Sequence, residues 1–367
     1  MRTFLLEDFY EKHEFSTRYL LSQSDCESMT VDELLGLEPG AAEQLNKLWL
    51  GYTEVKGSLY LRERISSLSQ TCGPDNILVH AGAEEAIYGF MQVFLERGDQ
   101  VICLSPAYQS LYEVAASAGC EVSPWPLRQA KGGWTLDLDE LVSLIRPQTK
   151  LIVINTPHNP TGYALSDDQL QTVADIARER GLFVFCDQVY KGLEWDGQPH
   201  VWMSDIYENA VSLGVMSKAY GLPGLRIGWI ATRSKDVYDR MLKLKYYTTI
   251  CCSAPSEFLS ALALEHSDTL LQRSVSIIRD NIALAEGFFE KHKDIFINNT
   301  PVAGPVAFHR LKSGEDANAF CEELIGKSGV LLLPGSVYEA DGSYFRMGYG
   351  RKNFGECLSV LDEHLQK

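Results

Sequence analysis

The chain has 367 residues, of which 45% are hydrophobic and 22% charged, an ordinary globular composition that excludes a disordered or low-complexity protein. Its 33 Lys and Arg stand against 49 Asp and Glu, and the resulting charge of −16 argues against nucleic-acid and membrane partners. Nine scattered cysteines form no Cys-x-x-Cys motif, so core thiols of a reduced, cytoplasmic protein are expected and no metal site. The N-terminus has no apolar signal segment, and no apolar run approaches the roughly 20 residues a membrane helix needs.

Taken in chain order, residues 77–79 read as a strand leading into a helix over 84–97. There Ile87, Phe90, Met91, Phe94 and Leu95 share a face, and Gly98 stops the helix. Strands are expected at 101–104, 150–154, 182–186, 211–216 and 227–231. Ser166 and Gln169 make a capping box that opens a helix running to Arg180, with Gly181 as its stop. Residues 257–291 are helical almost throughout, and short strands follow near 306–311, 330–333 and 344–347. This alternation predicts an α/β fold: a large, mostly parallel sheet domain flanked by helices over 45–275, and a smaller α+β domain over 276–367. Residues 1–44 are expected to pack on the small domain or on a partner chain.

Ligands of open α/β sheets sit outside the carboxyl ends of the strands, so the residues that follow each strand matter most. After 150–154 comes Asn155-Thr156-Pro157-His158-Asn159-Pro160-Thr161-Gly162. After 182–186 comes Asp187-Gln188-Val189-Tyr190, and after 211–216 comes Ser217-Lys218. An amide, a carboxylate, a phenol and an amine therefore meet on one rim. That set suits pyridoxal 5'-phosphate (PLP), which needs a Schiff-base lysine and an acid at its pyridine nitrogen. Each residue also has a plain structural reading: a surface Lys218, a helix-capping Asp187, a turn Asn159 or a core ring at Tyr190.

Three motifs in order carry a family resemblance. Asn159-Pro160-Thr161-Gly162, Asp187-x-x-Tyr190 and the stretch from Ser217-Lys218 through Gly224, Arg226 and Gly228 resemble the class I/II, fold-type I PLP-dependent aminotransferases. The similarity runs from about Tyr52 to Arg346. It implies that Lys218 holds PLP as a Schiff base and shuttles the substrate's proton, and that Asp187 keeps the pyridine nitrogen protonated. Asn159 and Tyr190 would bind the ring's phenolic oxygen, and Tyr108 would stack on the ring. Arg226 and the Gly82, Ala83 and Glu84 turn would bind the phosphate, and Ser217 would belong to the same cofactor site. Tyr52 would reach the phosphate of a neighbouring subunit, which implies a homodimer with shared sites. Arg346, with Asn159, would bind the substrate's α-carboxylate. Val215 departs from the pattern, because many members carry a hydroxyl there.

The resemblance implies an aminotransferase moving an amino group between an amino acid and a 2-oxo acid. A PLP-dependent lyase, cyclase or decarboxylase is the alternative, since shared cofactor residues do not select the bond that breaks. Residues 22–27 resemble the branch that contains capreomycidine synthase, a PLP cyclase. A non-catalytic PLP-binding sensor is a remote third reading.

Overall fold

The computed structural model describes residues 1–130, 133–195 and 200–366. Its main sheet has seven strands: β1 Ile77–His80, β2 Gln100–Ser105, β3 Glu121–Pro126, β4 Thr149–Asn155, β5 Phe183–Asp187, β6 Ala210–Val215 and β7 Gly228–Thr232. Their order is β1-β7-β6-β5-β4-β2-β3, parallel throughout except for β7, which is antiparallel to both neighbours. β4, β5 and β6 are apolar runs buried on both faces, as helix-covered parallel strands require.

Six of these strands lie within a residue of the expected positions. The sequence reading missed β3, because Pro124 and Pro126 interrupt it. Its place at the sheet edge, paired only with β2, removes the objection, since proline's missing N–H costs an edge strand no ladder bond.

The helices that position the site are α1 Leu5–His13, α2 Ala83–Phe94, α3 Asp167–Arg180 and α4 Ser267–Lys291. α3 begins in the expected reciprocal box: Gln169 N donates to Ser166 Oγ (3.2 Å) and Ser166 N donates to Gln169 Oε1 (3.0 Å). It ends at Gly181 in the left-handed conformation (φ 65°). α2 stops at Phe94, three residues before the expected Arg97. Leu95 turns extended and buries its side chain, and Asp99 Oδ2 takes the Glu96 N–H at 2.7 Å, so the last turn is a capped bend. The long helical run breaks once, at His266, between Ala254–Glu265 and α4; α4 then passes residue 275 without interruption.

A second, antiparallel sheet comprises β8 Phe296–Ile297, β9 Val306–Leu311, β10 Leu333–Pro334 and β11 Tyr344–Gly348, in the order β8-β9-β11-β10. The N-terminal residues pack on this side of the same chain. Leu6 and Tyr10 of α1 cluster with Phe308, Leu331, Leu333, Val337 and Tyr338. Tyr19–Leu20 pairs in parallel with Val330–Leu331.

Residues 21–27 then cross between the two sheets. Gly348 N donates to the Leu21 carbonyl and Glu27 N to the Gly350 carbonyl, both at 2.7 Å, while Cys26 N donates to the Lys218 carbonyl (3.3 Å). Such close passage requires glycine at 348, where any Cβ would overlap the Gln23 carbonyl. Gly348→Ala should therefore cost about 1–3 kcal/mol of stability, the usual range for overpacking. It should also speed amide exchange across residues 21–27. Unchanged exchange there would show that the crossing segment does not depend on this contact.

Candidate active site

The carboxyl ends of β4, β5 and β6 open on a cavity of about 330 Å³. Asn155 and Asp187 end β4 and β5 in register, and Asn155 locks the two ends together. Its Nδ2 donates to the Asp187 carbonyl (3.0 Å), and its Oδ1 accepts the Asn159 N–H (2.7 Å). The turn that follows β4 is thereby held over the neighbouring strand, and Asn159 faces the cavity.

Asp187 is buried, and its Oδ1 accepts the Val189 N–H at 3.2 Å. Burial pushes its carboxyl up to about 7; the Val189 amide and the Lys218 charge offset only part of that penalty. Lys218 follows β6, and its Nζ donates to Ser24 Oγ at 2.9 Å. Ser24 also lies beside the Tyr190 hydroxyl, whose pKa burial raises. Ser217 is buried beside the lysine and lines the same cavity, as does Val215.

Arg346 lies on β11, fully buried, and spends every N–H on this chain. Nη1 donates to Asn159 Oδ1 (2.9 Å) and to Tyr338 Oη. Nη2 donates to Tyr10 Oη and to the Ser22 carbonyl, both at 2.6 Å, and Nε reaches the same carbonyl at 3.2 Å. Asn159 Oδ1 also accepts from Tyr338 Oη (2.8 Å), whereas its Nδ2 makes no hydrogen bond among the described residues.

At the other end of the cavity, Gly82 (φ 90°) caps α2, and the amides of Ala83 and Glu84 find no acceptor among the described residues. Arg226 faces this helix end, with Nη1 donating to the Pro223 carbonyl (3.2 Å). A Cβ on Gly82 would stand 2.6 Å from Arg226 Nη2. Free amides, a helix N-terminus and a guanidinium together make an anion site. The Glu84 carboxylate is engaged by Ser110 Oγ. Beneath the turn, Glu85 accepts the Ala81 N–H (2.6 Å) and the hydroxyls of Thr248 and Thr249 (2.7 Å each). Burial alone would raise its carboxyl, but His80, the Ala81 amide and Thr249 outweigh it and hold the group ionised.

Tyr108 reaches the cavity wall, its Oη donating to Glu7 Oε1 at 2.9 Å. Tyr52 does not line the cavity; it is 87% exposed on a loop of its own chain. The other candidate residues converge here. The sequence reading passed over Tyr10 and Tyr338 and gave Ser24 and Glu85 no role of their own. For Tyr10 a signal existed, since Leu6, Tyr10 and His13 repeat at helical spacing. For the hydroxyl partners of Glu85 none did, because Thr248 and Thr249 lie more than 160 residues away.

The chain matches the family model "Aminotransferase class I and II" over residues 19–354. It belongs to that family. Capreomycidine synthase of Streptomyces vinaceus is 29% identical over 364 residues, covering 98% of this chain and 93% of that protein. A PLP-dependent aminotransferase of Streptococcus suis 89-1591 superposes with a TM-score of 0.93 at 31% identity, covering 100% of this chain and 98% of that one. The PLP-dependent cyclase OrfR superposes with a TM-score of 0.92 at 26% identity, covering 100% and 97%. The fold is the fold-type I architecture and the cofactor is pyridoxal 5'-phosphate.

The cavity fits this group at both ends. The anion site beside Gly82 has room and donors for a phosphate. Asp187 is a buried carboxylate without an ion-pair partner among the described residues, the arrangement a pyridinium cation would complete. Because the folded state raises the Asp187 pKa, the cofactor-free protein binds that proton more tightly than the unfolded chain does. Its contribution is complete below about pH 4 and disappears as pH rises through about 7. The cofactor-free protein should thus lose a few kcal/mol between pH 4 and 7.5, at about 1.4 kcal/mol per pH unit. Asp187→Asn should flatten that slope in denaturant titrations. Identical slopes for the two proteins would show that another group is responsible.

Proposed function

We propose that this protein is a PLP-dependent aminotransferase that moves an amino group between an amino acid and a 2-oxo acid. The observation that carries the reading is the single cavity uniting Lys218, Asp187, Asn159 and Tyr190 with Arg346. Among the described residues Lys218 brings the one lysine amine to it, so the same base serves both to remove and to return a proton, as transamination requires. Bound PLP supplies the electron sink that lets the substrate's Cα–H bond ionise.

In this reading Lys218 carries the cofactor, and its Nζ moves the Cα proton. Asp187 keeps a positive charge at the ring nitrogen, while Asn159 Nδ2 and Tyr190 Oη serve the phenolic oxygen. Arg226, Ser217 and the Gly82, Ala83 and Glu84 turn hold the phosphate, and Tyr108 lies against the ring. Arg346 takes the α-carboxylate, which assumes the donors now given to Ser22 and Tyr10.

A homodimer with shared sites fits the surface around Tyr52. Trp49 and Leu50 are 80% and 76% exposed, and Thr53 Oγ1 donates to the Cys252 carbonyl (3.0 Å), joining this loop to the segment bearing Tyr247, itself 90% exposed. A second chain packed there would let Tyr52 reach its partner's phosphate. The unpaired cysteines suit a reducing cytoplasm.

A PLP-dependent cyclase, or a lyase or decarboxylase on the same scaffold, is the second reading. What favours it is the full-length likeness to capreomycidine synthase and OrfR, together with the reach of residues 22–27 to Lys218. Mixing the PLP-loaded protein with single amino acids separates the two. An aminotransferase converts its cofactor to the pyridoxamine form and releases one equivalent of 2-oxo acid. Cofactor that stays as PLP while ammonia, carbon dioxide or a cyclic product forms would overturn that assignment. Arg346→Lys, which loses the planar fork, should lower kcat/KM at least tenfold with the cofactor spectrum intact.

A further inference from the structure

We propose that the amino-acid substrate carries a cationic side chain, a guanidinium or an ammonium, received by Glu7 and Glu14. The inference rests on the reading of the cavity as an amino-acid site. It follows from the charges that face that cavity. The cations are Lys218, Arg226 and Arg346, and each is occupied by the cofactor or the α-carboxylate. Among the acids, Asp187 serves the cofactor, Asp25 is paired with Arg351 (2.8 and 2.9 Å), and Glu84 belongs to the turn at the phosphate end, near Arg226.

Two carboxylates remain, Glu7 on α1 and Glu14 immediately after it. Seven residues apart, they stand two turns from one another on the face that also bears Tyr10. Each meets only a neutral donor: Glu7 the Tyr108 hydroxyl (2.9 Å) and Glu14 the Gln23 amide (3.0 Å). Among the described residues no cation lies within ion-pair distance of either.

Their placement follows from the carboxylate clamp. Tyr10 bonds Arg346 at 2.6 Å, so the acidic face of α1 begins where the substrate's α-carboxylate is anchored. Leu6 and Ile87 line the same cavity and offer apolar contact to an aliphatic stem. A long side chain with a cationic end meets both features. An anionic side chain meets two like charges, and a neutral one gains no ion pair from them.

The test is a substrate panel on the PLP-loaded protein, reading both the dissociation constant from the amino-acid-induced change in cofactor absorbance and kcat/KM. Arginine, lysine and ornithine should each be favoured at least tenfold over norleucine and glutamine, and further over aspartate and glutamate. Glu7→Gln and Glu14→Gln should each lower the ratio of cationic to neutral affinity about tenfold. Glu14→Lys should move the preference toward acidic side chains. Glu11→Gln, on the same helix but outside the cavity, should leave the ratio unchanged. Neutral or acidic amino acids binding as tightly as cationic ones would overturn the side-chain assignment while leaving the amino-acid site intact. If no amino acid of any class perturbs the cofactor, both readings fall.

Discussion

At the end of the central strand of a seven-stranded sheet, a carboxylate is held out of water, raised to a pKa of about 7, and given one amide and a neighbouring amine for company. Isolated buried charges cost several kcal/mol, so Asp187 either keeps its proton, as its raised pKa allows, or is ionised opposite a cation arriving from outside the chain. Much of the local structure serves to keep it there. Asn155 ties β4 to the Asp187 carbonyl, and the same amide fixes the turn that presents Asn159. β6, next in the sheet, delivers Lys218 to the same rim. The cofactor chemistry thus follows from three adjacent parallel strands ending together.

A second constraint joins the two sheets. Arg346 belongs to the smaller sheet yet bonds Asn159 at the rim of the larger one, and Tyr10 and Ser22 complete its shell from the N-terminal segment. Five N–H groups satisfied in full burial make this guanidinium a fixed point rather than a roaming surface arginine. The N-terminal residues, threaded past Gly348 and Gly350, therefore line the site as well as packing on the fold, and place Ser24, Glu7 and Glu14 in its wall.

How much of this was legible in the sequence depended on whether the signal was local. The rim residues Asn159, Asp187 and Lys218 follow apolar strands directly, so strand ends and motifs together located them. The Ser166 box and Gly181 stop are likewise local and stand as read. β3 was missed because its prolines argue against a strand, and only its edge position, a tertiary fact, makes them harmless. The end of α2 was misplaced because Leu95 fits the helical face and is buried as expected, yet its backbone turns extended where Asp99 caps the Glu96 amide. Ser24 and Tyr10 meet their partners across 194 and 336 residues, distances over which no spacing rule speaks. Tyr52, read from its motif, stands outside its own chain's cavity.

The central claim is that the cavity at the ends of β4, β5 and β6 is the PLP site and that Lys218 is the residue joined to the cofactor. Borohydride reduction of the PLP-loaded protein, followed by proteolysis and mass mapping, tests this directly. The account predicts one pyridoxyl group per chain, on the peptide containing Lys218. A pyridoxyl group on Lys191, Lys245 or any other lysine, with Lys218 unmodified, would contradict it.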